Sequence, residues 1–142
     1  MGKTAKALMM AATVVAVLLS GITNAQSITD KQSCYEQSRK YVRDLNADEN
    51  PNAVFVTKWT WRAAHFDAKT QVCYVHFDRA TNTSTNPKLT EKVDDAYEGK
   101  TFAAYVGGLD LRNPETCQVN GKVCRDHEEF NRLLGELIPA RN

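Results

Sequence analysis

Two histidines and three aromatic residues near the middle of the chain are the side chains best suited to chemistry or to recognition. They are Trp59, Trp61, His65, Tyr74 and His76. They come from two runs rich in β-branched and aromatic residues around a short polar break, which predicts an antiparallel hairpin. Strand alternation would place all five on one face. Two neighbouring imidazoles could bind Zn²⁺ or Cu²⁺, and an aromatic face could recognise a protein, a peptide or a sugar.

Metal binding and catalysis are both poorly supported by the residue pattern. A stable metal site needs three or four ligands, and no third ligand accompanies His65 and His76. A simpler interpretation is that His65 hydrogen-bonds a backbone oxygen or Asp67 and orders the hairpin. Two acidic clusters could supply the carboxylate pair of a glycoside hydrolase. A turn and the start of a helix explain these clusters more simply. Their members are Asp94, Asp95, Glu98, Glu128 and Glu129. There is no phosphate-binding loop, nucleophile elbow or His-Glu-x-x-His motif, so we predict no metal, no cofactor and no catalytic residue.

The loop of the predicted hairpin sets which residues pair. A four-residue loop, Asp67–Thr70, would pair Phe66 with Gln71 and place Trp61 opposite His76. The second face then carries Ala64, Phe66, Cys73, Val75 and Phe77, and we predict it to be the core face. The aromatic face is either an exposed recognition face or a second core layer. Such a layer would be covered by the predicted C-terminal helix or by the hairpin that contains Cys117 and Cys124, which we call the cystine ribbon.

Four cysteines, an even number, indicate two disulfides, for which three connectivities exist. Asn120-Gly121 is a strong signal for a two-residue hairpin turn, and it would bring Cys117 opposite Cys124. That position is a hydrogen-bonded pair, where the Cβ atoms are wider apart than a disulfide prefers. The pairing Cys117–Cys124 is nevertheless favoured, which leaves Cys34–Cys73.

Helical patterns flank the strands. Thr29 and Gln32 fit a capping box that opens a helix over residues 30–46 and places Cys34 on its buried stripe. Asp126 predicts the cap of a final helix that ends at Pro139, with an apolar stripe: Phe130, Leu133, Leu134 and Leu137.

Two segments between the first hairpin and the ribbon complete the pattern. Residues 80–88 are polar enough to be a loop. Residues 89–96 and 101–106 favour a second hairpin with Gly99 at a positive φ, although a short helix from Thr90 to Gly99 stays open.

Residues 1–25 resemble a secretory signal peptide. Lys3 and Lys6 precede an uncharged stretch, residues 7–19, and small residues follow it. The stretch is too short for a membrane span, which needs about 20 residues. The predicted mature chain, residues 26–142, keeps 16 basic and 17 acidic residues, since only two lysines are removed. This balance argues against a nucleic-acid partner, because phosphate binding needs clustered basic residues.

Several motifs resemble a family of uncharacterised exported bacterial proteins with a two-disulfide domain. They are Ala64-His65-Phe66-Asp67, Cys73-Tyr74, Asp95 to Lys100, and Cys117 to Cys124 followed by Phe130. The resemblance spans most of residues 34–134, with His65-Phe66-Asp67 where the family has a His-Tyr-Asn type of tripeptide. It implies bacterial export and a shared fold. The family has no assigned activity, so no functional residue is carried over.

These patterns together predict one disulfide-braced α+β domain over residues 26–142, periplasmic or secreted. Its mainly antiparallel sheet has about four strands plus a short cystine hairpin, flanked by an N-terminal and a C-terminal helix. We expect a non-enzymatic binding protein for another exported protein or a peptide, with no membrane span after cleavage and an open oligomeric state. The alternative is a small hydrolase or metal-binding enzyme using His65 and His76.

Overall fold

The computed structural model describes residues 29–49, 57–81 and 86–139. Contacts divide the chain into Met1–Ser33 and Cys34–Asn142, and the sheet and the sites considered below lie in the second unit. The predicted signal peptide lies outside the described residues, as do residues 82–85 of the predicted polar loop.

In the part of the chain that the structure describes, six antiparallel strands form one sheet, and every strand pairs with its neighbour in sequence. They are β1 (Thr60–Asp67), β2 (Val72–Thr81), β3 (Lys88–Asp95), β4 (Thr101–Gly108), β5 (Thr116–Val119) and β6 (Lys122–Val123). The predicted α+β class is confirmed, but the estimate of about four strands is too low. The cystine ribbon, β5 and β6, extends the sheet because β5 pairs with β4 along Ala103–Val106.

The turn residues act as their types predict. The segment for which the sequence allowed either a strand or a short helix forms strand β3. Gly99 has φ 70° in the turn that follows this strand. Asn120 and Gly121 have φ 47° and 79°. Both angles are positive, as the tight turn between β5 and β6 requires.

The first helix, α1, includes residues 29–47, and from Cys34 onward it covers one face of the sheet. Thr29 is already helical, so the prediction that it caps this helix is wrong. The core on this face is built from α1 and β2 with Ala96: Cys34, Val42, Cys73, Val75, Phe77 and Ala96. The predicted Cys73 face is therefore confirmed as a core face.

The second helix, α2 (His127–Leu137), covers the opposite face, where it packs on β4 and β5. Asp126 caps it, since its carboxylate accepts a hydrogen bond of 2.8 Å from the Glu129 amide. Of the four residues of the predicted stripe, Phe130, Leu133 and Leu134 are buried and Leu137 is half-buried. This face is a second core layer, which also contains Tyr74, Val93, Ala103, Tyr105, Cys117, Val119 and Cys124.

Both predicted disulfides are present. Cys34–Cys73 joins α1 to β2, and Cys117–Cys124 closes the ribbon with a Cα–Cα distance of 5.1 Å. The Cys124 amide also donates to the Cys117 carbonyl at 3.0 Å, so a bridge does form at a hydrogen-bonded pair.

Candidate functional site

The structure separates the five predicted recognition residues into two groups. Phe66 pairs with Cys73, not with Gln71, because the four-residue loop lies one residue later than predicted: β1 ends at Asp67 and β2 begins at Val72. A bulge at Arg62 then pairs Trp61 with Phe77 and Ala63 with His76. An extra residue reverses the faces of what precedes it, so the two tryptophans lie on the α1 face. His65, Tyr74 and His76 stay together on the α2 face.

A cavity of about 230 Å³ opens beside these three residues. We call it the histidine pocket, and it is lined by Ala63, Ala64, His65, Tyr74, His76, Asn131, Leu134, Gly135 and Ile138. It exists because α2 packs over β4 and β5, while β1 and β2 extend beyond the helix. Small side chains on β1 and the missing side chain of Gly135 keep the space open. The pocket is mainly apolar, with a few polar side chains in its wall.

A buried carboxylate on β3 fixes one of those polar side chains. Glu91 is only 7% exposed, and its Oε1 lies 2.6 Å from Nε2 of His76. Its Oε2 lies 2.7 Å from Nε2 of His127, the first residue of α2. Asn131 in turn places its amide nitrogen 3.1 Å from Nδ1 of His127. The Glu91 network, His76–Glu91–His127–Asn131, therefore links two strands to α2 along one side of the pocket.

The electrostatics of the network favour an ionised Glu91. Burial alone would raise the pKa of the Glu91 carboxyl, but hydrogen bonds and charge from His76 and His127 outweigh it and lower that pKa. A carboxylate here accepts from both Nε2 atoms whether the imidazoles are neutral or protonated. His76 bonds Glu91 through Nε2 and not through Nδ1.

His65 and Tyr74 form the other side of the pocket. Their rings stack with centroids 6.4 Å apart, and Tyr74 is also in edge contact with Phe102. Burial, followed by the negative charge of Asp67, raises the pKa of the Tyr74 phenol, so it stays neutral at physiological pH.

Asp67 forms its hydrogen bonds within the turn after β1. Its carboxylate accepts from the Thr70 hydroxyl and from the Lys69 amide. In the described part of the chain, the His65 ring hydrogen-bonds neither Asp67 nor a backbone oxygen, which were its two predicted partners, and it stacks on Tyr74 instead.

The two tryptophans are half-buried parts of the α1 face. Trp59 makes edge contact with Phe77, and the Arg79 guanidinium lies 4.1 Å from its ring centroid. Trp61 donates from Nε1 to the buried Ser38 hydroxyl at 2.9 Å. Each indole is thus held rigidly while part of it stays accessible to solvent.

Glu91, His127 and Asn131 were missed from the sequence. Glu91 and Val93 are two residues apart on β3 and therefore share a face, which was a readable sign of an inward-pointing charge. The partners of Glu91 come from other elements and gave no local signal. No cluster of three His, Cys, Asp or Glu suited to a metal ion occurs in residues 29–49, 57–81 and 86–139.

The acidic residues considered as a catalytic carboxylate pair have structural roles instead. Asp94 on β3 accepts a hydrogen bond of 2.8 Å from the Tyr41 hydroxyl of α1, and Asp95 accepts from the Tyr97 amide. The remaining pair, Glu128 and Glu129, lies in the first turn of α2. Negative charge there complements the helix dipole.

Comparison with protein families, with curated proteins and with solved structures finds no match for this chain. The resemblance to exported bacterial proteins therefore stays a prediction, although two disulfides fit a small disulfide-bonded domain. Within the described part of the chain, no helix is long and apolar enough to cross a membrane.

Proposed function

We propose that this protein is a small, non-enzymatic binding protein that recognises another exported protein or a peptide, with the histidine pocket receiving one apolar side chain of the partner. The observation that carries the proposal is an open, mainly apolar cavity with a few fixed polar groups, the usual composition of a binding site. Its volume is about 230 Å³. Pockets that enclose a drug-sized ligand begin at roughly 300 Å³. A single side chain suits this smaller cavity better.

A second cavity supports a partner longer than one residue. It measures about 430 Å³, shares Ala63, His65 and Ile138 with the histidine pocket, and continues to Tyr35 and Trp61. The two cavities thus follow one another across β1. Tyrosine and tryptophan are enriched among residues that dominate protein interfaces, because they give large contact area at low entropic cost.

The two disulfides are consistent with an oxidising compartment. With the predicted signal peptide, they support a periplasmic or secreted location. The partner would then be an exported protein or a fragment of one.

The proposal is tested by filling the histidine pocket. Gly135→Leu adds a side chain where the ideal Cβ meets nothing within 4 Å. The protein should fold normally, with helix propensity favouring leucine over glycine. The full mature protein is immobilised and used to capture partners from a periplasmic extract. We expect a reproducible partner with the native protein and its loss with Gly135→Leu.

Glu128→Leu is the matched control, since it adds the same side chain to an exposed position of α2 outside the pocket. It should retain the partner. Repeated eluates without any partner, or a partner that binds Gly135→Leu as well as the native protein, would overturn the proposal.

One observation favours a hydrolase as the second candidate. A carboxylate bonded to the histidine that lines a pocket resembles the base and orienting group of acyl-transfer enzymes. No serine, threonine or cysteine is among the described residues that line this pocket, so water would be the attacking group. Hydrolysis of a panel of esters and peptides that disappears in His76→Gln would support this candidate, and an inactive native protein would remove it.

A further inference from the structure

Another pocket, on the α1 face, carries a charge pattern unlike that of the histidine pocket. It measures about 460 Å³ and lies between α1 and the start of β1. We call it the basic pocket, and its lining includes Arg39, Arg43, Asn46, Lys58, Trp59 and Trp61. No acidic residue is among the described residues that line it. Three cations and two indoles at one depression make it a candidate binding site for an anion.

Within the described residues, no ion pair neutralises the positive charge of this pocket. Neither Arg43 nor Lys58 forms an ion pair within the described residues, whereas the nearby Lys40 is paired with Asp44 at 2.5 Å. All 17 Asp and Glu residues of the chain lie in its described parts, so no acidic side chain is left elsewhere to supply the missing partner. Unpaired cations beside apolar surface are best complemented by carboxylates from another molecule.

The aromatic wall of the pocket is held in place. The Arg39 guanidinium lies 5.2 Å from the Trp61 ring centroid and 5.4 Å from that of Tyr35, and Arg79 covers Trp59. These distances lie within the range of about 6 Å for a cation–π contact, so the guanidinium groups help to fix the positions of the rings. Tryptophan, tyrosine and arginine are also the residue types most enriched at interface hot spots.

We propose that the basic pocket binds a short acidic segment of a partner protein, in which carboxylate side chains meet Arg43 and Lys58 while neighbouring atoms pack on Trp59 and Trp61. A nucleic acid is less favoured, because the chain from residue 26 onward has more acidic than basic residues and a phosphate backbone needs an extended basic surface. The inference rests on the proposed function only in that the ligand is a protein segment. It concerns a pocket separate from the histidine pocket, although Trp61 lines both the basic pocket and the second cavity described above.

The test uses the full mature protein and a fluorescent eight-residue peptide of alternating glutamate and glycine. Fluorescence anisotropy measures its binding to the native protein and to Arg43→Gln/Lys58→Gln. We expect the affinity to fall about tenfold or more in the double variant, because hydrogen bonds to charged groups are lost. Binding should weaken as salt rises, and the matching glutamine–glycine peptide should not bind.

Lys69→Gln/Arg112→Gln is the matched control, since it removes one lysine and one arginine from exposed positions outside the pocket. It should bind the acidic peptide like the native protein. Lys58→Gln alone, which changes only an exposed residue before β1, tests the site if the change at Arg43 prevents folding.

The inference is overturned if the acidic peptide does not bind, or if it binds the double variant as well as the native protein. It is also overturned if single-stranded DNA or a sulfated polysaccharide binds through Arg43 and Lys58 and the peptide does not. Gly135→Leu separates the two proposals, because it should leave peptide binding unchanged. A partner captured through the histidine pocket without any acidic-peptide binding would contradict this inference alone.

Discussion

The two faces of the sheet hold their helices by different means. On the α1 face a covalent bond, Cys34–Cys73, ties the helix to β2, and aromatic packing surrounds it. On the α2 face the second disulfide stays within the ribbon, so apolar packing and the Glu91 network hold the helix. The covalent tie is insensitive to acid, whereas the network depends on an ionised carboxylate. The hold on α2, whose face contains the histidine pocket, should therefore depend on acid through Glu91.

The largest effect should come from removing the tie on the α1 face. Cys34→Ala/Cys73→Ala opens a loop with a sequence separation of 39. Chain entropy predicts a loss of about 4 kcal/mol in the free energy of unfolding. Cys117→Ala/Cys124→Ala opens a separation of only 7 and should cost about 2.5 kcal/mol. Urea denaturation at pH 7 measures both. Equal losses, or a larger loss from the ribbon, would mean that α1 does not depend on its disulfide in this way.

The next effect concerns the Glu91 network. Glu91→Gln keeps the shape of the side chain but presents an amide nitrogen to imidazoles that donate from Nε2. This mismatch should cost about 2 kcal/mol of unfolding free energy. Glu98→Gln is the control, because Glu98 is exposed in the turn after β3. It should change stability by less than about 0.5 kcal/mol. Urea denaturation measures both variants, and similar values would mean that the network does not hold α2.

Acid should weaken the α2 face through the same residue. The pKa of folded Glu91 is below its ordinary value of 4.5, so the native state binds fewer protons at this site than the unfolded state. Its contribution to stability is therefore complete above about pH 4.5 and is lost as the pH falls through the folded pKa. Urea denaturation between pH 7 and pH 3 should show a steeper loss for the native protein than for Glu91→Gln. Parallel curves would contradict this origin of the acid sensitivity.

The fold could be predicted from the sequence where one local signal determined the structure. Asn120-Gly121 marked the ribbon turn and its disulfide, which left Cys34 and Cys73 for each other. Asp126 likewise marked the start of α2.

The failures came from features without a local signal. The bulge at Arg62 moved both tryptophans to the other face, and arginine is not a residue type that announces a bulge. Glu91 and His127 are 36 residues apart, so only the folded chain brings their side chains together.

The smallest predicted effect concerns polar contacts on the α1 face. Trp61→Phe removes the donor to the fully buried Ser38 hydroxyl. It should therefore cost about 1 kcal/mol more than Trp59→Phe, which removes a similar volume. The Trp59 indole donates no hydrogen bond within the described residues, which makes it the matched control. Urea denaturation of the two variants gives the difference directly. If Trp59→Phe lowers the free energy of unfolding as much as Trp61→Phe does, the α1 face is held by its disulfide and by apolar contacts. The contrast between this face and the α2 face, which the Glu91 network holds, then becomes sharper.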